Sequence, residues 1–196
     1  MELVSIFVNE TPNEVEGIFA MRYEEGQPDE IERLFDNWSD PDFVFSYFLF
    51  NEEFLKHQYF DDYTIDVLCL KVGEEVQELQ QAFLKYESGG YSINAEPLQS
   101  IFKPLAPELP QFNEEILQKA KLLVDDKNFP EPILRLYGLR ISEKTFIITG
   151  GAIKITHFME DHPDTRDELE KLEKVKQWLM YNEVTTQEDI KNCYYE

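Results

Sequence analysis

Cysteine is nearly absent from this chain: 196 residues contain two, Cys69 and Cys193, far apart. That excludes a disulfide framework and makes a cytoplasmic location the default expectation. Cys69 lies in the apolar run TIDVLCLKV and reads as a buried small residue. Apolar runs of about 18 residues are missing, so neither a membrane span nor a membrane partner is expected. The N-terminal MELVSIFVNETPNE has no basic segment followed by an apolar core, so a secretory signal is not expected. A Walker-type glycine loop, a nucleophile elbow and a dinucleotide fingerprint are also missing. There are three histidines, His57, His157 and His162. The last two have Glu160, Asp161 and Asp164 nearby but match no common ligand spacing, so neither metal nor cofactor is expected.

Basic residues are scarce too. Eighteen Lys and Arg face 40 Asp and Glu, for a net charge of -22. Residues 1–100 hold five basic and 22 acidic groups; residues 101–196 hold 13 and 18. A long-range field of this sign repels nucleic acid and keeps the protein in solution. Between Lys119 and Met159 the balance reverses, with seven basic residues against four acidic. Hydrophobic content of 42% with 14% aromatics is sufficient for a packed core.

The spacing of apolar residues organises the rest. GIFAMRY alternates and reads as a strand. Pro28-Asp29 opens a helix with Ile31, Leu34, Phe35 and Trp38 on one stripe. A second helix follows Asp40-Pro41, carrying Phe43, Tyr47, Phe50, Phe54 and Leu55, aromatics of the kind that fill cores. A third runs from Ile65 through Leu68, Val72, Val76, Leu79 and Phe83 to Gly89-Gly90. Prolines 97, 104, 107 and 110 mark a linker, and Asn113 is placed to cap a helix over EEILQKAKLLVDD. After Pro130 and Pro132 come two strands joined at Ser142-Glu143-Lys144, with Gly150-Gly151 marking a bulge or bend before AIKIT. Thr165 to Glu168 forms a capping box for a last long helix with Leu169, Leu172, Val175 and Leu179 inside; Thr185 to Glu188 suggests another. The order predicts an α+β fold on an antiparallel sheet. Residues 1–112 form an acidic, mainly helical region and 113–196 a hairpin core with its helix, or the two make one continuous domain.

Chemistry concentrates on the hairpin. Adjacent acids such as Glu52-Glu53, Asp61-Asp62 and Glu74-Glu75 do not face each other on a helix and read as solvated surface. Arg135, Arg140 and Lys154 are suited to phosphate, arginine bidentately. Tyr137 and His157 are placed to move a proton. Strand alternation puts Arg135 and Tyr137 on one side and Arg140 on the other, unless a bulge near Gly138 intervenes.

The stretch RLYGLRISEKTFIITGGAIKIT, followed by TRDELEKLEKVKQWL, resembles the core of RelE/HigB-type toxins of bacterial toxin–antitoxin modules. The matching elements are Arg135 and Tyr137, then TFIIT, then Gly151, Ile153 and Lys154, then the helix from Asp167. The resemblance implies a RelE-like hairpin core with the segment from Phe43 to Phe112 as an insertion. It also implies an endoribonuclease that needs no metal, acts on RNA or at the ribosome, and is held by an antitoxin protein. In it Arg135, Arg140 and Lys154 would hold phosphate, and Tyr137 or His157 would transfer protons. The alternative is a non-enzymatic acidic module that binds a basic partner, or mimics nucleic-acid charge, on a toxin-like scaffold.

Overall fold

The computed structural model describes residues 1–10, 15–56, 60–89, 102–106, 115–122 and 132–194. His57, the cap at Asn113, Gly90, and prolines 97, 107, 110 and 130 lie outside them. Among these residues six strands form one sheet: β1 (Glu2–Glu10), β2 (Val15–Arg22), β3 (Phe102–Pro104), β4 (Gln118–Leu122), β5 (Leu134–Ser142) and β6 (Thr145–Ile153). Their order is β1-β2-β6-β5-β4-β3. The sheet is mixed rather than antiparallel, because β2 and β6 run parallel, Gly17–Ala20 beside Thr145–Ile148. Strands from both halves of the chain interleave in it.

Helices cover both faces. On one lie α1 (Glu30–Ser39), α2 (Pro41–Phe50), α3 (Glu52–Leu55) and α4 (Ile65–Gly89), over Ile18, Ala20, Leu136, Phe146 and Ile148. On the other lie α5 (Pro163–Tyr181) and α6 (Gln187–Tyr194), over Phe19, Met21, Tyr137, Leu139 and Ile147. The central strands are therefore buried on both sides, which is why TFIIT reads as a continuous apolar run.

Two strands depart from the sequence reading. β1 was absent from it; a bulge between Ser5 and Phe7 interrupts its alternation. Gly17 opposite has φ +145°, and a Cβ there would meet Phe7 O at 2.0 Å, so only glycine fits. The helix expected over EEILQKAKLLVDD is instead β4 among its described residues. Gln118, Ala120 and Leu122 are buried while Lys119 and Lys121 alternate outward. Lys, Ala, Leu and Gln favour helix locally, but pairing with β5 on one side and β3 on the other overrides propensity. Inside the expected linker, Phe102 of β3 stacks on Phe146 at 4.2 Å between centroids. Pro104 is tolerated there because β3 is an edge.

The helices hold with shifted phases. α2 buries Val44 and Phe48, while Phe43 and Phe50 are exposed. In a helix apolar on every side several stripes can be drawn, and the break at Asn51 resets the phase before Leu55. α5 begins at Pro163 with His162 as its cap, Nδ1 accepting from Asp164 N at 3.3 Å. Thr165 is thus inside the first turn, donating to Met159 O at 2.6 Å, and Glu168 is released from the expected capping box. At α6 the box closes one residue later than expected: Thr186 Oγ1 accepts from Asp189 N at 3.2 Å, and Asp189 accepts from Thr186 N at 2.8 Å. Cys69 is half-buried rather than buried. No helix among the described residues is long and apolar enough to cross a membrane.

Glu75 is the largest reversal. Read as solvated, it is fully buried on α4. Its carboxylate accepts from Ile133 N at 2.9 Å and from Leu134 N at 2.7 Å, fastening the start of β5 to α4. Burial raises its pKa, and the two backbone donors oppose that rise.

Candidate functional site

The hairpin forms as read, with Glu143 and Lys144 at its turn. Its register shifts: Tyr137 pairs with Gly150 but Gly138 with Ile148, which makes Thr149 a bulged residue on β6. Because the extra residue is on β6, alternation along β5 is undisturbed. Arg135 and Tyr137 point toward α5. Arg140, opposite Phe146 and Gln118, belongs to the other face.

Under that hairpin is a cleft of about 820 Å³ between β4, β5, the segment after β6, and α5. It brings together Arg135, Tyr137, Lys154 and His157, and leaves Arg140 outside. Arg135 is buried, its Nη1 donating to Pro132 O and, at 3.0 Å, to Leu134 O. Lys154 Nζ donates to Thr156 O and, at 2.8 Å, to His157 O. His157 is exposed, with its ring edge-on to Phe158 at 4.4 Å.

Tyr137 is 1% exposed, and its hydroxyl finds no hydrogen-bond partner among the described residues. Burial is the main reason its pKa lies well above the ordinary phenol value; Arg135 opposes the rise and Glu168 adds to it. It therefore stays protonated at neutral pH. Leaving such a group unpaired costs about 1–3 kcal/mol.

Sequence reasoning missed part of this cleft. Lys119 and Lys121 of β4 and Lys176 of α5 line it as well. Two-residue alternation in QKAKL was the available signal for the first pair. The lining holds five basic residues against three acidic ones. Lys119 pairs with Glu173 at 3.1 Å and Lys176 with Glu115 at 3.0 Å, exposed contacts of small energetic weight.

A second polar cluster went unread. Glu168 lies under α5 against the sheet, where Gly150 makes room: a Cβ there would stand 1.9 Å from Glu168 Oε2. Oε1 accepts from Lys171 at 2.6 Å, while Oε2 has no partner among the described residues. Lys171 also reaches Glu30 at 3.5 Å, and Glu30 holds Arg33 at 2.8 and 2.7 Å. Burial pushes the Glu168 carboxyl up to about 7 against the pull of Lys171. The missed signal was an i, i+3 Glu-Lys pair on α5 beside an otherwise apolar stripe.

The fold and these sites define an α+β protein with a mixed sheet between helical layers and a basic cleft on one face. Comparison with protein-family models, curated proteins and solved structures finds no match to this chain.

Proposed function

We propose that the cleft beneath the hairpin binds phosphorylated ligands, and that the chain is a toxin-like ribonuclease that cuts RNA without a metal. The observation that carries this reading is the buried Tyr137 hydroxyl, without a partner among the described residues, in a cleft shared with Arg135 and Lys154. In the reaction the RNA 2′-oxygen attacks the adjacent phosphorus. His157 takes the 2′-hydroxyl proton, Arg135 and Lys154 hold the phosphoryl oxygens, and Tyr137 protonates the departing 5′-oxygen. The P–O5′ bond breaks as the P–O2′ bond forms, leaving a 2′,3′-cyclic phosphate and a 5′-hydroxyl. Because the molecule as a whole repels polyanions, the reading favours a short single-stranded segment and low salt.

The test is incubation of a short single-stranded RNA with purified protein in EDTA. Cleavage to cyclic-phosphate ends is expected, with Tyr137→Phe slower by about 100-fold or more. The variant, relieved of an unpaired buried hydroxyl, is expected to melt no lower than the parent. Intact RNA at equimolar protein, or an unchanged rate in Tyr137→Phe, overturns the proposal. The antitoxin that the resemblance implies would cover the same cleft.

A second reading rests on a separate observation. Phe45, Leu49 and Phe50 of α2 and Leu70 of α4 are exposed in the acidic half of the chain. An apolar surface in an acidic field suits a basic, amphipathic protein partner.

A further inference from the structure

Where β2 and β6 end, the sheet splits. They are parallel neighbours, yet β2 leads to α1 on one face and β6 leads to α5 on the other. Such a switch point opens a crevice at the carboxyl ends of the strands, the usual ligand position in sheets with parallel neighbours. Here the register between β2 and β6 ends at Ala20 and Ile148. The remaining edge of β6 faces a pocket of about 280 Å³ between α1, α2 and α5. Ligand pockets run to roughly 300–1,000 Å³, so this one suits a small molecule.

The edge is partly occupied. Tyr23 Oη donates to Thr149 O at 2.6 Å, and Tyr47 Oη donates to Ile153 O at 2.8 Å. Lys154 N, one residue on, bonds to β5 at Ile133 O. Peptide groups alternate along a strand, so Gly151 presents its N–H and C=O on the same side as Ile153, toward the pocket it lines. Glycine is required there because a Cβ would meet Arg135 O at 2.6 Å and Leu34 at 2.9 Å.

The walls define the ligand. Trp38, Phe43 and Tyr47 form an aromatic side. Opposite are Asp164, Asp167 and Glu168, with Arg33 and Lys171. Both cations are already engaged, Arg33 by Glu30 and Lys171 by Glu168 and Glu30. The Glu168 carboxyl, 5% exposed, retains an oxygen without a partner among the described residues. The pocket thus has acceptor capacity to spare, aromatic faces, and an acidic protein around it that draws in cations.

We infer that this crevice binds a small primary amine with an apolar stem, its ammonium between Glu168 and the Gly151 carbonyl and its stem on Trp38, Phe43 and Tyr47. The site shares no lining residue with the basic cleft, and Tyr137 of that cleft faces it through Glu168. The groups that face Glu168 are Lys171 on α5, Glu30 and Arg33 on α1, Tyr23 after β2, and Tyr137 on β5. Its carboxyl titrates at about 7, so amine binding strengthens as the solution is taken from mildly acidic to mildly alkaline.

The experiment is calorimetric titration of the full chain with phenethylamine, and with 3-phenylpropionate as the anion of similar shape. The amine is expected to bind and the acid not. Glu168→Gln should weaken the amine by about tenfold or more, the cost of one charge-assisted contact. Phe43→Ala, at an exposed wall position, should weaken it less and leave the fold intact. No heat from the amine, equal binding of both probes, or full affinity in a folded Glu168→Gln overturns the site. Should Glu168→Gln fail to fold, the probe pair together with Phe43→Ala decides: wild-type affinity in Phe43→Ala then rejects the site.

Discussion

Glu168 shows how much a single side chain can carry. Its carboxyl titrates near 7 because burial penalises the charged form more than Lys171 relieves it. The folded state therefore holds a proton that the unfolded chain, titrating at about 4.3, has already released between those two values. Stability contributed by this group is present below about pH 4.3 and is lost as pH rises through about 7. Ionised, it costs the fold about 4 kcal/mol, at roughly 1.4 kcal/mol per unit. Glu168→Gln removes that dependence. Thermal melting from mildly acidic to mildly alkaline pH should show the variant gaining on the parent as pH rises; parallel curves would count against a buried, elevated carboxyl.

Among the elements, α4 matters most to the cleft without touching its chemistry. Glu75 projects from α4 to the first amides of β5, immediately before Arg135. Replacing it with alanine strands two buried N–H groups and should cost about 3 kcal/mol in urea unfolding. The same change should loosen the carbonyls of Pro132 and Leu134 that position the Arg135 guanidinium. A loss below about 1 kcal/mol, as for ordinary surface sites, would mean that the carboxylate does not anchor the strand. The hairpin that it anchors was legible from TFIIT, the short turn and Gly150-Gly151, since each is a local signal. β4 was not, because QKAKL satisfies a helix as well as a strand until β3 and β5 stand beside it.

For the whole molecule, charge and exposed apolar surface act together. A net charge of -22 sets a field that attracts cations from every side. If α2 presents Phe45 and Leu49 to a partner, a basic amphipathic peptide should bind the chain in calorimetry. Its affinity should fall as salt screens the field over about 8–10 Å, and Phe45→Asp with Leu49→Asp should abolish it. Binding untouched by both changes would leave the acidic half with a solvating role only.

The sequence by itself determined the α+β composition, the hairpin, the helices at α1, α4 and α5, and the basic window, because periodicity, capping residues and charge are local properties. Only the tertiary structure decided that the sheet is mixed, since a parallel pairing between residues 17–20 and 145–148 leaves no mark in either segment. It also decided that Arg135 and Tyr137 share a cleft with Lys154 and His157 while Arg140 does not, because a bulge on β6 leaves the alternation of β5 intact. In the sequence Glu75 reads as solvated surface and Glu168 as the end of a capping box. Long-range packing, which brings α4 to the start of β5 and α5 over Gly150, buried both of them.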